Sequence, residues 1–212
     1  MRDLARTVDD LVQLFQKAPE AWAIMFDHIF SARRRSGRAS RPSRFVSSVA
    51  DFMPPGAALD VCMGDGQNAR LLASRGWEVA GFDISPRAVE WAAEQAGRAG
   101  LRIDCRVEDW AQYDYGNCRY DLICLVYAPT AAVLDRSYRG KLRQALRPAG
   151  QVLVEGFARD SCERRLGAEY DLSELRQAFD DWHIRTAEEV EEITEWGYSP
   201  ARIVRLLASV AA

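Results

Sequence analysis

ALDVCMGDGQNARLLASRGWEVAGFDIS, residues 58–85, is the stretch whose reading decides the fold. ALDVCM is a short apolar run of the kind that forms a strand. Gly64 and Gly66 interrupt it, QNARLLASRG continues with helical spacing as far as Gly76, and WEVAGFD is a second apolar run. The order is strand, glycine turn, helix, strand, with Asp83 at the tip of the second strand. Gly76 has the position of a helix C-cap. Glycines let a backbone approach a ligand closely, and the helix behind them offers unpaired N–H groups. Asp83 stands 19 residues after Gly64, and an acid about 20 residues past such a turn is placed to accept from ribose hydroxyls.

Cys62 stands where turns of this kind commonly begin with glycine. If the backbone there requires a positive φ, a non-glycine residue costs on the order of 1 kcal/mol or more. If φ is negative the penalty is only steric. A reactive thiol would need a neighbouring base, and the sequence identifies none. Cys62 therefore reads as a packing thiol.

The alternation continues outward. SPRAVEWAAEQAGRAG is a helix with Ser85 as N-cap and Pro86 in its first turn. LRIDCRV and the continuous apolar run YDLICLVY are the third and fourth strands, the latter suited to burial on both faces. AAVLDRSYRGKLRQAL reads as one helix stopped by Arg147-Pro148-Ala149-Gly150, and QVLVEGF as the fifth strand. SELRQAFDDW is a helix, WHIRTAEEV begins as a strand, and ARIVRLLASV is the last strand. About a dozen residues join the final two strands, which favours a hairpin and an antiparallel last strand. Strand–helix alternation of this kind gives a doubly wound α/β fold: a Rossmann-like, seven-stranded, mostly parallel sheet plus N-terminal helices.

Ahead of it, LVQLF and AWAIMFDHIF carry apolar residues at helical intervals, with Pro19 opening the second helix. SARRRSGRASRPSRF then reads as a loop crowded with Arg33, Arg34, Arg35, Arg38, Arg41 and Arg44. It is either a solvated surface loop or a lid whose arginines meet a carboxylate or phosphate. The expected organisation is a helical cap over residues 1–52 and a binding domain over 53–212, in one globular unit.

The chain has 212 residues, 48% hydrophobic and 28% charged, with a formal net charge of -3. That composition suits one domain with a full core. No apolar run reaches the roughly 20 residues that span a bilayer, and the N-terminus lacks a secretory pattern. The charge argues against bulk electrostatic binding of nucleic acid. Cys62, Cys105, Cys118, Cys124 and Cys162 form no CxxC pair, and the only histidines, His28 and His183, have no ligand spacing with them. Zinc is not expected, and the scattered thiols suit a reducing, cytoplasmic setting.

Two further pieces fall at strand ends. Glu108-Asp109-Trp110 follows the third strand, where a carboxylate can accept from an adenine amino group and an indole can stack on the ring. Tyr127 closes the fourth. A nicotinamide-binding turn fits less well: it wants a third glycine where this chain has Ala69, and it rarely needs Asp60.

Asp60-Val61-Cys62-Met63-Gly64-Asp65-Gly66 resembles the Asp-Leu-Gly-Cys-Gly-x-Gly turn of the class I S-adenosylmethionine-dependent methyltransferases, departing from it at Cys62. GQNARLLASRGWEVAGFDISPRAVEWA is similar to the small-molecule members of the tellurite-resistance and thiopurine groups, and LRPAGQVLVEGF to the family's turn and fifth strand. The resemblance covers about residues 45 to 210. It implies S-adenosylmethionine as cofactor and S-adenosylhomocysteine as product, with Asp83 on the ribose, Asp109 and Trp110 flanking the adenine, and the Gly64–Gly66 loop beside the methionine part. The residues expected to face the cofactor are Asp60, Cys62, Gly64, Gly66, Asn68, Asp83, Ile84, Glu108, Asp109, Trp110 and Tyr127.

The sulfonium methyl is electrophilic by itself, so transfer mainly requires alignment and exclusion of water, and a base is optional. Tyr127, Glu155 and His28 are the candidates for orienting an acceptor or taking a proton. Tyr127-Ala128-Pro129-Thr130 is not the Asn-Pro-Pro-Tyr or Asp-Pro-Pro-Tyr motif that grips amines in nucleic-acid and glutamine methylases. Trp22, Phe26 and Phe30, four apart, either pack in the core or line an apolar substrate. The expected reaction is methyl transfer to O, N or S of a small molecule, by a monomer or homodimer with no membrane or nucleic-acid partner. The rivals are a protein of the same fold that binds the cofactor but catalyses a cyclisation or rearrangement, or only binds, and an RNA methyltransferase using the arginine-rich segment.

Overall fold

Five consecutive buried residues, Ala57–Val61, form β1. A strand covered on both faces needs layers above and below it, and parallel neighbours with crossover helices supply them. β1 pairs in parallel with β2 (Glu78–Asp83) on one side and β4 (Tyr120–Val126) on the other. β3 (Ile103–Val107) continues the sheet beyond β2, and β5 (Leu146–Ala158) beyond β4. β8 (Pro200–Ser209) lies antiparallel to β5, and β7 (His183–Ile193) antiparallel to β8. β6 (Glu169–Tyr170) pairs with the far end of β5. The computed structural model describes residues 19–37, 41–161, 167–194 and 200–210. Among them the sheet has eight strands in the order β3-β2-β1-β4-β5-β8-β7, with β6 off this path.

The expected doubly wound sheet and its antiparallel last strand are present. The eighth strand comes from the polar insertion after β5, whose two residues are too few to show a period. The helix expected from AAVLDRSYRGKLRQAL is two, α5 (Thr130–Leu134) and α6 (Arg136–Ala145). Asp135 adopts an extended conformation between them and its side chain accepts from Tyr138 N at 2.7 Å, capping α6. The arginine-rich stretch also differs from the expected loop. α1 (Pro19–Arg35) takes in Arg33, Arg34 and Arg35, and Arg44 opens α2 (Arg44–Phe52). Cations in the last turn of α1 oppose its C-terminal dipole, which favours continuing the helix. LVQLF, Arg38 and Cys162 lie outside the described residues.

Two apolar layers cover the sheet. Phe45, Val46, Leu72 and Trp77 from α2, α3 (Gln67–Ser74) and the turn after it form one. Tyr138 and Leu142 of α6, Leu175 of α7 (Leu172–Ala178) and Phe179 belong to the other. Strand order reverses between β1 and β4, where open α/β sheets leave a crevice at their carboxyl ends. α4 (Pro86–Arg98) starts beside that crevice, with Ser85 accepting from Ala88 N at 3.1 Å. No helix among the described residues is long and apolar enough to cross a membrane.

Candidate functional site

β1 and β2 end in carboxylates that fix the loop between them. Asp60 is fully buried and accepts from Ala69 N at 3.0 Å, tying β1 to α3. Its other oxygen has no partner among the described residues. Burial, partly offset by the Ala69 N–H, pushes its carboxyl up to about 7. Asp83 accepts from Gly64 N and from Ser85 N, each at 2.9 Å. Burial raises its carboxyl to about 6 against those two donors.

The loop itself is left-handed at several points. Gly64 and Gly66 have φ of 55° and 72°. A Cβ on Gly66 would lie 2.8 Å from the Ala92 side chain, and one on Gly64 2.8 Å from the Phe30 ring. The first glycine of the pair therefore lets α1 close over the loop, and the second lets α4 approach α3. Cys62 has φ of 55°, so the costly alternative applies: a side chain occupies a conformation that disfavours Cβ by about 1–2 kcal/mol. Cys62 is partly buried against the core that contains Tyr115, Tyr138 and Tyr170, and burial raises its thiol well above the ordinary range. This is the environment of a packing thiol.

These strand ends enclose a cavity of about 510 Å³, within the range of small-ligand pockets. Of the residues anticipated from sequence, Cys62, Gly64, Asn68, Asp83, Ile84, Glu108, Asp109, Trp110 and Tyr127 line it. Asp60 and Gly66 lie behind the wall and shape it. Trp110 is held from behind: its indole meets Tyr138 edge-on at 5.2 Å, and Tyr115 donates to its carbonyl at 3.0 Å. Asp109 is braced by Ala111 N at 2.9 Å.

Glu155 and His28 do not reach the cavity. Glu155 is 1% exposed and receives Arg205 Nε at 2.7 Å; Arg205 also donates to Glu192 and lies over the Phe45 ring at 5.3 Å. Burial raises its carboxyl while Arg205 lowers it. His28 is exposed on α1, two residues from Phe26 and so on another face of the helix. Of the three candidates for the chemistry, only Tyr127 lines the cavity.

α1 brings in residues on which the sequence left alternatives open. Trp22, Phe26, Phe30 and Arg33 share one helical face and all line the cavity. Asp27 fastens the helix to the start of α4, accepting from Ser85 Oγ and from Arg87 N, the latter at 3.2 Å. Arg34 pairs with Glu94 at 2.7 Å and sits over Trp91. Asn68 accepts from Ser43 N at 2.8 Å, anchoring the start of α2. Met63 in the glycine loop and Gln67 at the start of α3 also line the cavity, and the sequence pattern singles out neither. Thr130 and Gly167 also line the cavity, and Thr130 N donates to Gly167 O, a contact that no local pattern announces.

Residues 58–150 match the methyltransferase domain family. That segment spans β1 through the start of β5, and so contains the loop, Asp83, Trp110 and Tyr127. Magnesium protoporphyrin IX methyltransferase from Synechocystis, solved with bound S-adenosylhomocysteine, is 16% identical with a TM-score of 0.69, over 91% of this chain and 99% of that one. The 1,6-didemethyltoxoflavin-N1-methyltransferase of Burkholderia thailandensis is 19% identical at 0.67, over 92% and 91%. TehB from Haemophilus influenzae is 19% identical at 0.65, over 79% and 62%. These likenesses establish the fold around the domain. Comparison with curated protein sequences finds no match.

Proposed function

We propose that this protein transfers the methyl group of S-adenosylmethionine to an oxygen, nitrogen or sulfur of a small molecule. The observation that carries the reading is the pairing of Asp83 with the Gly64 N–H at the wall of a cavity that the Trp110 indole also lines. The donor set fits such a cofactor: carboxylates at three strand ends for hydroxyls and amino groups, a ring for the adenine, and Gln67 Oε1 buried without a partner among the described residues. When bound, the cofactor supplies an electrophilic methyl on a sulfonium. The chain's own residues hold and orient it, and α1 covers it, so the described part of residues 1–52 serves as a cap on the binding domain. Tyr127 orients the acceptor.

Cytoplasmic location agrees with unpaired Cys62, Cys105, Cys118 and Cys124 among the described residues. The acidic balance speaks for a small acceptor over RNA. Cys62 favours a second reading, in which the cofactor binds but no methyl moves, because its side chain stands at the cavity wall with φ of 55°. Calorimetric titration with S-adenosylmethionine and S-adenosylhomocysteine tests the primary reading first: micromolar binding of both supports it, and no binding of either removes it. Turnover to S-adenosylhomocysteine with an acceptor then separates the two readings.

A further inference from the structure

The cavity wall divides by chemistry. Its carboxylates, Asp65, Asp83, Glu108 and Asp109, come from the segments that follow or end β1, β2 and β3. The α1 face and the end of β4 supply the aromatic and aliphatic lining. Trp22 and Phe26 lie 5.8 Å apart and within 18° of parallel, and Phe26 and Phe30 lie 6.3 Å apart. Phe30 sits over Gly64, so the row of rings begins above the glycine loop and runs along α1 toward Trp22. Val126, Tyr127 and Pro129 also line this half, and Arg33 is its cation. Aligned rings of this kind present broad, rigid apolar area, which suits a flat ring better than a flexible polar chain.

Among the described residues, the same half holds no histidine and no carboxylate. The chain has two histidines; both are exposed, and neither lines the cavity. Glu155 is occupied by Arg205. Asp83 has each oxygen on a backbone N–H. A group that must lose a proton before it can attack finds no imidazole beside it.

We infer that the acceptor is a flat, apolar aromatic molecule held against Trp22 and Phe26, and that its reacting atom is nucleophilic unaided: a ring-nitrogen lone pair or an aryl thiolate. The inference rests on the methyl-transfer reading above. The acceptor's lone pair forms the bond to the methyl carbon, and the carbon–sulfur bond of the sulfonium breaks with its electron pair left on sulfur. A ring nitrogen ends as an N-methyl cation and a thiolate as a neutral thioether; the protein removes no proton in either case. An alcohol on a saturated carbon is the class this site leaves unmethylated.

The test titrates four probes into protein saturated with S-adenosylhomocysteine: isoquinoline, 2-naphthalenethiol, 2-naphthalenemethanol and cyclohexanethiol. The three flat probes bind, and cyclohexanethiol binds about tenfold more weakly or worse. Trp22→Ala and Phe26→Ala each weaken the flat probes by about tenfold, and Trp22→Phe restores most of the affinity. With S-adenosylmethionine, isoquinoline and 2-naphthalenethiol are methylated while 2-naphthalenemethanol binds unchanged. Flat probes that bind the alanine variants as they bind wild type, cyclohexanethiol binding as tightly as the flat probes, or methylation of the alcohol at the thiol's rate each overturn the inference. Binding of S-adenosylhomocysteine without any probe overturns it alone. Absence of S-adenosylhomocysteine binding overturns the transfer reading, and this inference with it.

Discussion

Cys62 and Tyr127 end adjacent parallel strands in the same left-handed conformation, each with φ of 55°. Both line the cavity. Strained non-glycine residues of this kind persist where surrounding structure over-determines them, and they gather at functional sites. Here the turn after β1 is fixed by Met63 N donating to Phe82 O at 2.9 Å and by Gly64 N on Asp83. The turn after β4 is fixed by Tyr127 N donating to Glu155 O at 2.7 Å.

Substitutions at Cys62 separate backbone strain from packing. Cys62→Gly relieves the positive φ but adds unfolded-state entropy and removes the thiol's contacts. The opposing effects leave stability within about 1 kcal/mol of wild type. Cys62→Val places a β-branched residue where φ is positive and lowers stability by about 2 kcal/mol or more. Urea denaturation checks both; a valine variant as stable as wild type would show that the turn relaxes to negative φ.

Asp83 and Glu155 are expected to fail in different ways. Asp83→Ala weakens S-adenosylmethionine binding by more than about tenfold, since it removes the carboxylate at the cavity wall and unties Gly64 N. Glu155→Ala leaves that affinity nearly intact but costs about 3 kcal/mol of stability, because Arg205 loses a buried partner. Calorimetry and denaturation on the same two variants decide it. Equal losses of affinity would remove Asp83 from the adenosine.

Stability is expected to rise as pH falls from 7 toward 4. Asp60 ordinarily titrates at 3.8 and is pushed up to about 7 in the fold, and Asp83 to about 6. In that window the folded chain binds protons that the unfolded chain does not, so acidification favours folding through these two groups. Asp60→Asn should flatten the rise in Tm between pH 7 and 4. A Tm–pH slope unchanged in that variant would contradict the shift.

Gly66→Ala is expected to destabilise by about 1–3 kcal/mol, because a Cβ there meets Ala92 at 2.8 Å and φ is 72°. Adding Ala92→Gly removes the clash and leaves the strain, so the double variant recovers part of the loss. Full recovery would mean that packing alone required the glycine.

Local periodicity carried much of the fold. The apolar runs, Gly76, the Ser85-Pro86 helix start and the hairpin at the end were readable because each depends on neighbours within one helical turn or one strand. The break at Asp135 was not read, because the apolar spacing runs through it and only the cap geometry ends the first helix. Asp83, Glu108, Asp109 and Trp110 were legible for a related reason. In an alternating chain, the residue at a strand's carboxyl end is fixed at the edge of the crevice by the topology itself.

The sequence alone therefore determined seven of the eight strands among the described residues and which strand ends face the crevice. Tertiary structure decided what those residues do there. Glu155 and Arg205 are 50 residues apart and become cross-strand partners only through the register of β5 with β8, which converts a possible base into a structural carboxylate. Phe30 and Gly64 meet only because Asp27 and Arg34 dock α1 on α4, and this docking turns an amphipathic helix into one wall of the cavity. The positive φ at Cys62 is likewise held by hydrogen bonds from Met63 N and Gly64 N to Phe82 and Asp83, each 19 positions further along the chain at the end of β2. Periodicity reports which face of an element is apolar; it contains no information about which distant element that face will meet.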